Sequence, residues 1–364
     1  MKKLLFLLVV FLSVPKLCFA LDISAKSACL IVADSGEIIY EKKPHIKLPM
    51  ASTTKMMTAL VAAESGKWDE TVTVSVNAQN QEGSSIYLEE NERIRLSELV
   101  CGMMLNSGND AAVATAEHIS GSTELFAELM TKRANELGAI NTRFENPSGL
   151  DDENHYSTAY DLAVIGSEVI KNDSLSPIIQ CKEMKIENED GDVTYLRNHN
   201  KLLWRYDGVI GVKTGFTKKS GRCLVTAASR NGVTLIAVTL SAPSDWNDHK
   251  LMLDYGFNMC EKSIELRKGE RINKIQIGKD ELELVAAENI EVVDVKGVKE
   301  KRELKVKTIG TIKAPVNAGE KLGVAELYQN GKLIAQTDIV AEKNVYETSN
   351  RRKSIIDTIK ELFL

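Results

Sequence analysis

Apolar residues over Ala28–Ala33, a polar break at Asp34-Ser35-Gly36 and a second run over Glu37–Tyr40 predict a β-hairpin near the start of the chain. The spacing then turns helical over Thr53–Ala63, Ser97–Leu105, Asp110–His118 and Leu125–Leu137. Val209–Lys213, Arg222–Ser229 and Val233–Ser241 read as strands, and Asn231-Gly232 between the last two is a strong tight-turn signal. Past residue 262 the helical spacing stops. Short alternating runs take over at Ile272–Ile277, Ile290–Val295, Leu304–Ile309 and Leu333–Val340, with Gly-containing turns between several of them, and predict a small all-β domain. No repeat of fixed period and no low-complexity tract interrupts this order.

The two ends follow other rules. Residues 1–20 carry Lys2-Lys3, an apolar run from Leu4 to Val14 and the small-residue pattern Cys18-Phe19-Ala20, which together predict a secretory signal peptide. A spanning helix needs about 20 apolar residues, and Pro15 and Lys16 stop the run short of that. A lipoprotein is disfavoured because Pro15-Lys16-Leu17 before Cys18 lacks small residues. The protein is therefore expected to be exported and to work in the cell envelope. In the tail, residues 346–364, Ile355, Ile356, Ile359, Leu362 and Phe363 fall on one helical face behind Arg351, Arg352 and Lys353. Such a helix is expected to lie flat on a membrane, here the outer face of the cytoplasmic one, with its basic entry near anionic headgroups. A helix packed on the protein body is the alternative.

Composition narrows the function classes. A length of 364 residues suits two domains at about 100–200 residues each. With 43 % hydrophobic and 27 % charged residues and 7 Pro, the chain is neither disordered nor collagen-like. The formal charge is −5, from 46 basic and 51 acidic residues, and removal of Lys2, Lys3 and Lys16 with the signal leaves −8. An acidic chain is a poor nucleic-acid binder, so no nucleic-acid partner is expected. Six Cys are too few for a disulfide-stapled scaffold. Cys101 and Cys223 sit in apolar surroundings and read as inert buried thiols. His45, His118, His155, His199 and His249 show no ligand spacing, C-x-x-C is absent, and no phosphate-binding glycine loop occurs, so neither metal nor cofactor is expected. The five His read as surface or hydrogen-bonded structural residues.

Three short motifs remain, in the order Ser52-Thr53-Thr54-Lys55, Ser107-Gly108-Asn109 and Lys213-Thr214-Gly215. About one chance S-x-x-K is expected in a chain of this composition, whereas K-T-G is expected less than about 0.1 times. Ser52 precedes the helix formers Met56 to Leu60, which places it at a helix N-terminus with Lys55 one turn on. The helix dipole and burial both disfavour an ammonium there, so Lys55 can be neutral and take the Ser52 proton. Taken alone, this motif reads more simply as a plain N-cap at Ser52 and a solvated charge at Lys55. Ser107 and Asn109 lie in a polar break between two apolar helices, where a hydroxyl can relay a proton and an amide can hold a peptide group; a capped helix–helix turn is the simpler alternative. Lys213-Thr214-Gly215 is read as the end of a strand whose edge can pair with an extended peptide, while Lys213 and Thr214 meet a carboxylate. An ordinary strand end with a solvated Lys is the alternative there. On the functional reading, the N–H groups of Ser52 and Phe216 face a developing oxyanion.

The set S-x-x-K, S-x-N, K-T-G resembles that of penicillin-binding proteins and class A β-lactamases. With Gly108 in the second motif, it is similar to the low-molecular-mass D-alanyl-D-alanine carboxypeptidases. Asn146-Pro147-Ser148-Gly149-Leu150, the run His155 to Ala163, Asn198 to Leu203 and Ala314-Pro315-Val316 extend the resemblance over nearly the whole chain. It implies an α/β (α+β) catalytic domain of the serine penicillin-binding/β-lactamase type over residues 21–261, with an antiparallel sheet and a helical subdomain, followed by an all-β domain over 262–345. It also implies that Ser52 attacks the D-Ala–D-Ala bond of a peptidoglycan stem peptide with Lys55 as base. Ser107 then shuttles protons, while Asn109, Lys213, Thr214, Gly215 and Phe216 bind substrate. β-Lactams would trap Ser52. Two positions depart from the pattern: Phe216 replaces a common His or Tyr, and Ser148 stands where N-P-H-G-L is usual. A class A lactamase is disfavoured, because Gly102 occupies the Glu position before Leu105-Asn106. A non-catalytic penicillin-sensing or peptidoglycan-binding module is disfavoured by the intact Ser52, Lys55, Ser107 and Lys213. A DD-endopeptidase uses the same groups and stays open.

Overall fold

The structure, a computed structural model, describes residues 21–299 and 301–346, so the signal and tail expectations lie outside the described residues. β1 (Ser27–Val32) and β2 (Ile38–Lys42) form the expected hairpin. A 3-10 turn, Ala51–Thr54, then runs into α1 (Lys55–Glu64). The short strands β3 (Thr71–Thr73) and β4 (Arg93–Arg95) pair around α2 (Val76–Gln79). After them come α3 (Leu96–Leu105), α4 (Asn109–Ser120), α5 (Thr123–Glu136), α6 (Ala159–Lys171) and α7 (Ser176–Gln180). A second small hairpin, β5 (Glu183–Glu187) with β6 (Val193–Arg197), and the short α8 (Leu202–Arg205) lead back to the main sheet.

That sheet is antiparallel, in the order β2-β1-β9-β8-β7, with β7 (Val209–Thr217), β8 (Gly221–Arg230) and β9 (Val233–Leu240). β1 is buried on both faces, which is why it reads as an unbroken apolar run. Cys29 and Ile31 point to the core that holds α1, α3, α4 and α6. Ala28, Leu30 and Val32 point the other way, onto Met252 and Leu253 of α9 (Asp245–Met259). The sheet is thus sandwiched between helices, and the edge strand β7 packs beside the turn that carries Ser52.

β10 (Cys260–Leu266) pairs with β13 (Ile290–Val295). β11 (Arg271–Ile277), β12 (Asp280–Ala286), β14 (Arg302–Thr308), β15 (Lys321–Gln329) and β16 (Lys332–Ala341) make a second sheet in the order β11-β12-β16-β15-β14. This all-β part has its own core, including Leu282, Leu284, Leu322, Leu327 and Ile339. Cys29, Cys101, Cys181, Cys223 and Cys260 are all free thiols, and burial pushes Cys101 up to about 12 and Cys223 up to about 11.

Candidate active site

The nucleophile candidate sits on a strained corner. Ala51, just before Ser52, adopts φ 48° in the left-handed region, and Ser107 adopts φ 65°. Residues with a Cβ hold such angles only where the surroundings over-determine them. Close backbone approach does so here. A Cβ at Gly149, itself at φ 90°, would lie 2.0 Å from the Ala51 carbonyl oxygen, and one at Gly215 would lie 3.0 Å from the Ser52 nitrogen. The two glycines let the 148–150 loop and strand β7 close on Ser52 from opposite sides.

Lys55 is the first residue of α1 and is fully buried. Its Nζ donates to Asn109 Oδ1 at 2.6 Å and to the Ser148 carbonyl at 2.6 Å, and stands 3.2 Å from Ser52 Oγ. Both oxygens at 2.6 Å are obligate acceptors. A neutral amine has two N–H donors to satisfy them, which leaves its lone pair for the hydroxyl of Ser52. Burial first, and the nearby Lys213 cation second, hold Lys55 well below the ordinary lysine range, while Asp110 opposes them.

The expected polar break is there: α3 ends at Leu105 and α4 begins at Asn109. Asn109 is not the cap of that helix; Gly108 occupies the cap position. The Asn109 amide instead bridges Lys55 and the Glu82 carbonyl, to which its Nδ2 donates at 2.6 Å. Its neighbour Asp110 accepts the N–H groups of Ile86 and Leu88 and the Ser85 hydroxyl, pinning the wall of the cleft. Ser107 Oγ accepts from Lys213 Nζ at 3.0 Å. Burial alone lowers Lys213 to about 7.

One expectation needs correction. Lys213-Thr214-Gly215 does not end a strand but lies inside β7, which continues through Phe216 to Thr217 and pairs with Gly221–Cys223 of β8. The turn signals after it shape the β7–β8 hairpin rather than terminate the motif. Thr214, Gly215 and an exposed Phe216 then line a cavity of about 330 Å³ together with Ser52 and Ser107. All eight sequence-predicted site residues thus converge, with Lys55, Asn109 and Lys213 buried beneath this cleft.

Other contributors were missed. The Ser148 carbonyl holds Lys55, so the departure at Ser148 touches the site through its backbone; the Ser148 hydroxyl turns instead to Asn146 Oδ1 at 3.2 Å. Arg222 lies at the cleft, its Nε donating to Asp245 Oδ1 at 2.9 Å and its guanidinium stacked over Trp246. His199 also lines the cleft, and burial and Lys213 both lower it. His155 has the structural role expected: its Nδ1 accepts the Glu145 N–H, so Nε2 carries the proton and donates to Thr54 Oγ1 at 2.7 Å. Burial keeps it neutral, at about 4.

A hydroxyl beside a desolvated amine, facing a strand edge with room for an extended peptide, is the constitution of a Ser-Lys acyl-transfer enzyme. The sequence profile of the D-alanyl-D-alanine carboxypeptidase family matches residues 14–244, and that of the C-terminal domain of penicillin-binding protein 5 matches residues 264–347. The chain belongs to the D-alanyl-D-alanine carboxypeptidase family. It is 36 % identical over 335 residues to D-alanyl-D-alanine carboxypeptidase DacF of Bacillus subtilis, covering 88 % of this chain and 86 % of that protein. It is 33 % identical over 369 residues to DacA of Haemophilus influenzae, covering 94 % and 91 %. The crystal structure of penicillin-binding protein 5 from Haemophilus influenzae superposes with a TM-score of 0.65 at 30 % identity, over 89 % of this chain and 98 % of that one. The resemblance and the fold class expected from the sequence are both borne out.

Proposed function

We propose that this chain is a serine D-Ala–D-Ala carboxypeptidase acting on peptidoglycan stem peptides. Ser52 Oγ attacks the carbonyl of the penultimate D-Ala, and neutral Lys55 takes its proton. The N–H groups of Ser52 and Phe216 stabilise the oxyanion. The C–N bond breaks, the proton reaches the departing amine through Ser107, and D-Ala leaves. Water then hydrolyses the ester on Ser52. Lys213 and Thr214 hold the terminal carboxylate, and Asn109 holds both the substrate amide and Lys55. β-Lactams acylate the same hydroxyl. The observation that carries this reading is the Lys55 Nζ, buried and committed to two carbonyl acceptors, 3.2 Å from Ser52 Oγ. The test is free D-Ala released from an acyl peptide ending in D-Ala–D-Ala; the intact protein is expected to release one equivalent per peptide, and no release overturns the reading.

The place of action is proposed on the sequence of the ends. Residues 1–20 direct export, and the tail holds the enzyme on the outer face of the cytoplasmic membrane. Among the described residues no helix is long and apolar enough to cross a membrane. Deletion of residues 348–364 is expected to move the protein from the membrane to the soluble fraction, and unchanged partitioning rejects the anchor.

A further inference from the structure

Strand β7 sets the direction of a bound peptide. With the terminal carboxylate assigned to Lys213 and Thr214 and the oxyanion to the Phe216 N–H, an extended substrate runs antiparallel to β7, and its earlier residues pass Phe216 and Thr217. The period of two along the strand sorts the side chains. Lys213, Gly215 and Thr217 share the face turned to Ser52 and Ser107: Lys213 Nζ reaches Ser107 Oγ, and a Cβ at Gly215 would lie 3.0 Å from the Ser52 nitrogen. Thr217 therefore stands on the Ser52 side of the strand, two residues or about 7 Å past Gly215.

The loop that follows Ser148 closes on this position. It starts at the nucleophile, where the Ser148 carbonyl holds Lys55 and Gly149 packs on the Ala51 carbonyl. Asp151 then crosses to β7 and accepts the Thr217 hydroxyl, Oγ1 to Oδ1, at 2.9 Å. An ionised carboxylate only accepts, and it can take about four hydrogen bonds. Among the described residues Asp151 takes this one, is exposed and is in no ion pair. Other exposed charges face the same end: Asp152 and Glu153 in the loop, Glu82, whose carbonyl holds Asn109, and Lys218 and Lys219 in the β7–β8 turn. None of them is in an ion pair among the described residues. The two lysines lie past the end of β7, so they weaken the local field without neutralising Asp151.

We infer that Asp151 is a specificity-determining residue: its carboxylate takes the ammonium of a basic side chain on the residue that precedes the D-Ala–D-Ala pair, so the enzyme selects stem peptides with a free side-chain amine at that position. This rests on the carboxypeptidase reading, which fixes the direction of the peptide along β7. The residue before the pair lies one step beyond the acylated D-Ala, beside Phe216 and Thr217. Asp151 is there within reach of an ammonium on a four-carbon stem. Thr217 holds the carboxylate in place before substrate arrives, which lowers the cost of ordering the ion pair. An apolar side chain at the same position gains nothing from Asp151, and an acidic one is repelled. An acylated amine is neutral and loses the contact as well.

The test is the preference of the full chain between two acyl tripeptides, one with lysine and one with norleucine before D-Ala–D-Ala, each read as free D-Ala. Norleucine keeps the carbon chain and removes the charge. The intact protein is expected to favour the lysine peptide about three- to fivefold in kcat/KM at low salt, mainly through KM, and less as salt rises. In Asp151→Asn the ratio is expected to fall to about one, while the amide oxygen still accepts the Thr217 hydroxyl and keeps the loop closed. The ratio within each protein is the readout, because a general loss of activity does not move it. An intact protein that releases D-Ala equally from both peptides overturns the inference and spares the carboxypeptidase reading. A lysine preference that persists unchanged in Asp151→Asn does the same, since Asp151 is then only a strap between the loop and β7. No release from either peptide by the intact protein rejects the underlying reading and the inference together.

Discussion

Ser52→Ala is expected to lower D-Ala release by about 10⁴- to 10⁶-fold and to abolish the covalent β-lactam adduct seen by mass spectrometry. The loss is expected to be this large because, in the proposed mechanism, Ser52 Oγ is the one atom that carries the acyl group. Among the described residues Lys55 has no second hydroxyl within hydrogen-bond distance, its other partners being the Asn109 amide and the Ser148 carbonyl. The substitution removes one exposed-side oxygen and leaves those two contacts in place, so folding is expected to be unaffected, with Tm within about 2 °C of the parent. Loss of activity with retained Tm therefore isolates the chemistry. D-Ala release by the variant at the parental rate overturns the mechanism. Slow release of an acyl group that accumulates in the parent instead separates a penicillin-sensing module, which acylates without turnover, from an enzyme.

How much of this was legible in the sequence differs by level. The main-sheet strands and the long helices follow the apolar spacing closely, because one face or both of each is buried. β12 and β15 leave only a broken apolar pattern in the sequence: Asp280-Glu281 open the first, and Gly323 and Glu326 interrupt the second. At the site, Lys55 and Lys213 could be suspected because a helix start and a strand beside small residues are poor places for a solvated charge. The role of Ser148 could not, since a backbone carbonyl leaves no mark on residue type. His199 has no partner at metal-ligand spacing and so reads as structural, yet the alternation Asn198-His199-Asn200-Lys201 is a usable signal: two amides at period two anchor a turn and aim the intervening side chains outward. The strained φ of Ala51 and Ser107 is equally invisible in sequence, because neither is the glycine such an angle favours.

Lys213→Met is expected to lower kcat/KM by about 10²- to 10³-fold at neutral pH while making the protein more stable. On the proposed mechanism, the activity loss follows from removing the buried cation assigned to the substrate carboxylate. The pH profile identifies it. The proposed acylation needs Lys55 neutral and Lys213 charged, so the parental kcat/KM is expected to rise with pH as Lys55 loses its proton and to fall as Lys213 loses its own near the value of about 7 set by burial. In the variant the falling limb disappears. The rising limb moves to higher pH, because the Lys213 charge that helps hold Lys55 down is gone. Stability moves oppositely. The unfolded chain keeps Lys213 at its ordinary 10.5, against about 7 when folded, so between those values the unfolded state binds more protons and stability climbs as pH rises. Below pH 7 the full cost of burying the cation is present, and Met avoids it while giving up the bond to Ser107. Tm of the variant is expected to exceed the parent's by roughly 2–6 °C at about pH 6, with the difference fading toward about pH 10. A Tm deficit at pH 6 that does not change with pH overturns this account, since it means Lys213 stabilises the fold and the cleft holds no strained charge to trade against catalysis.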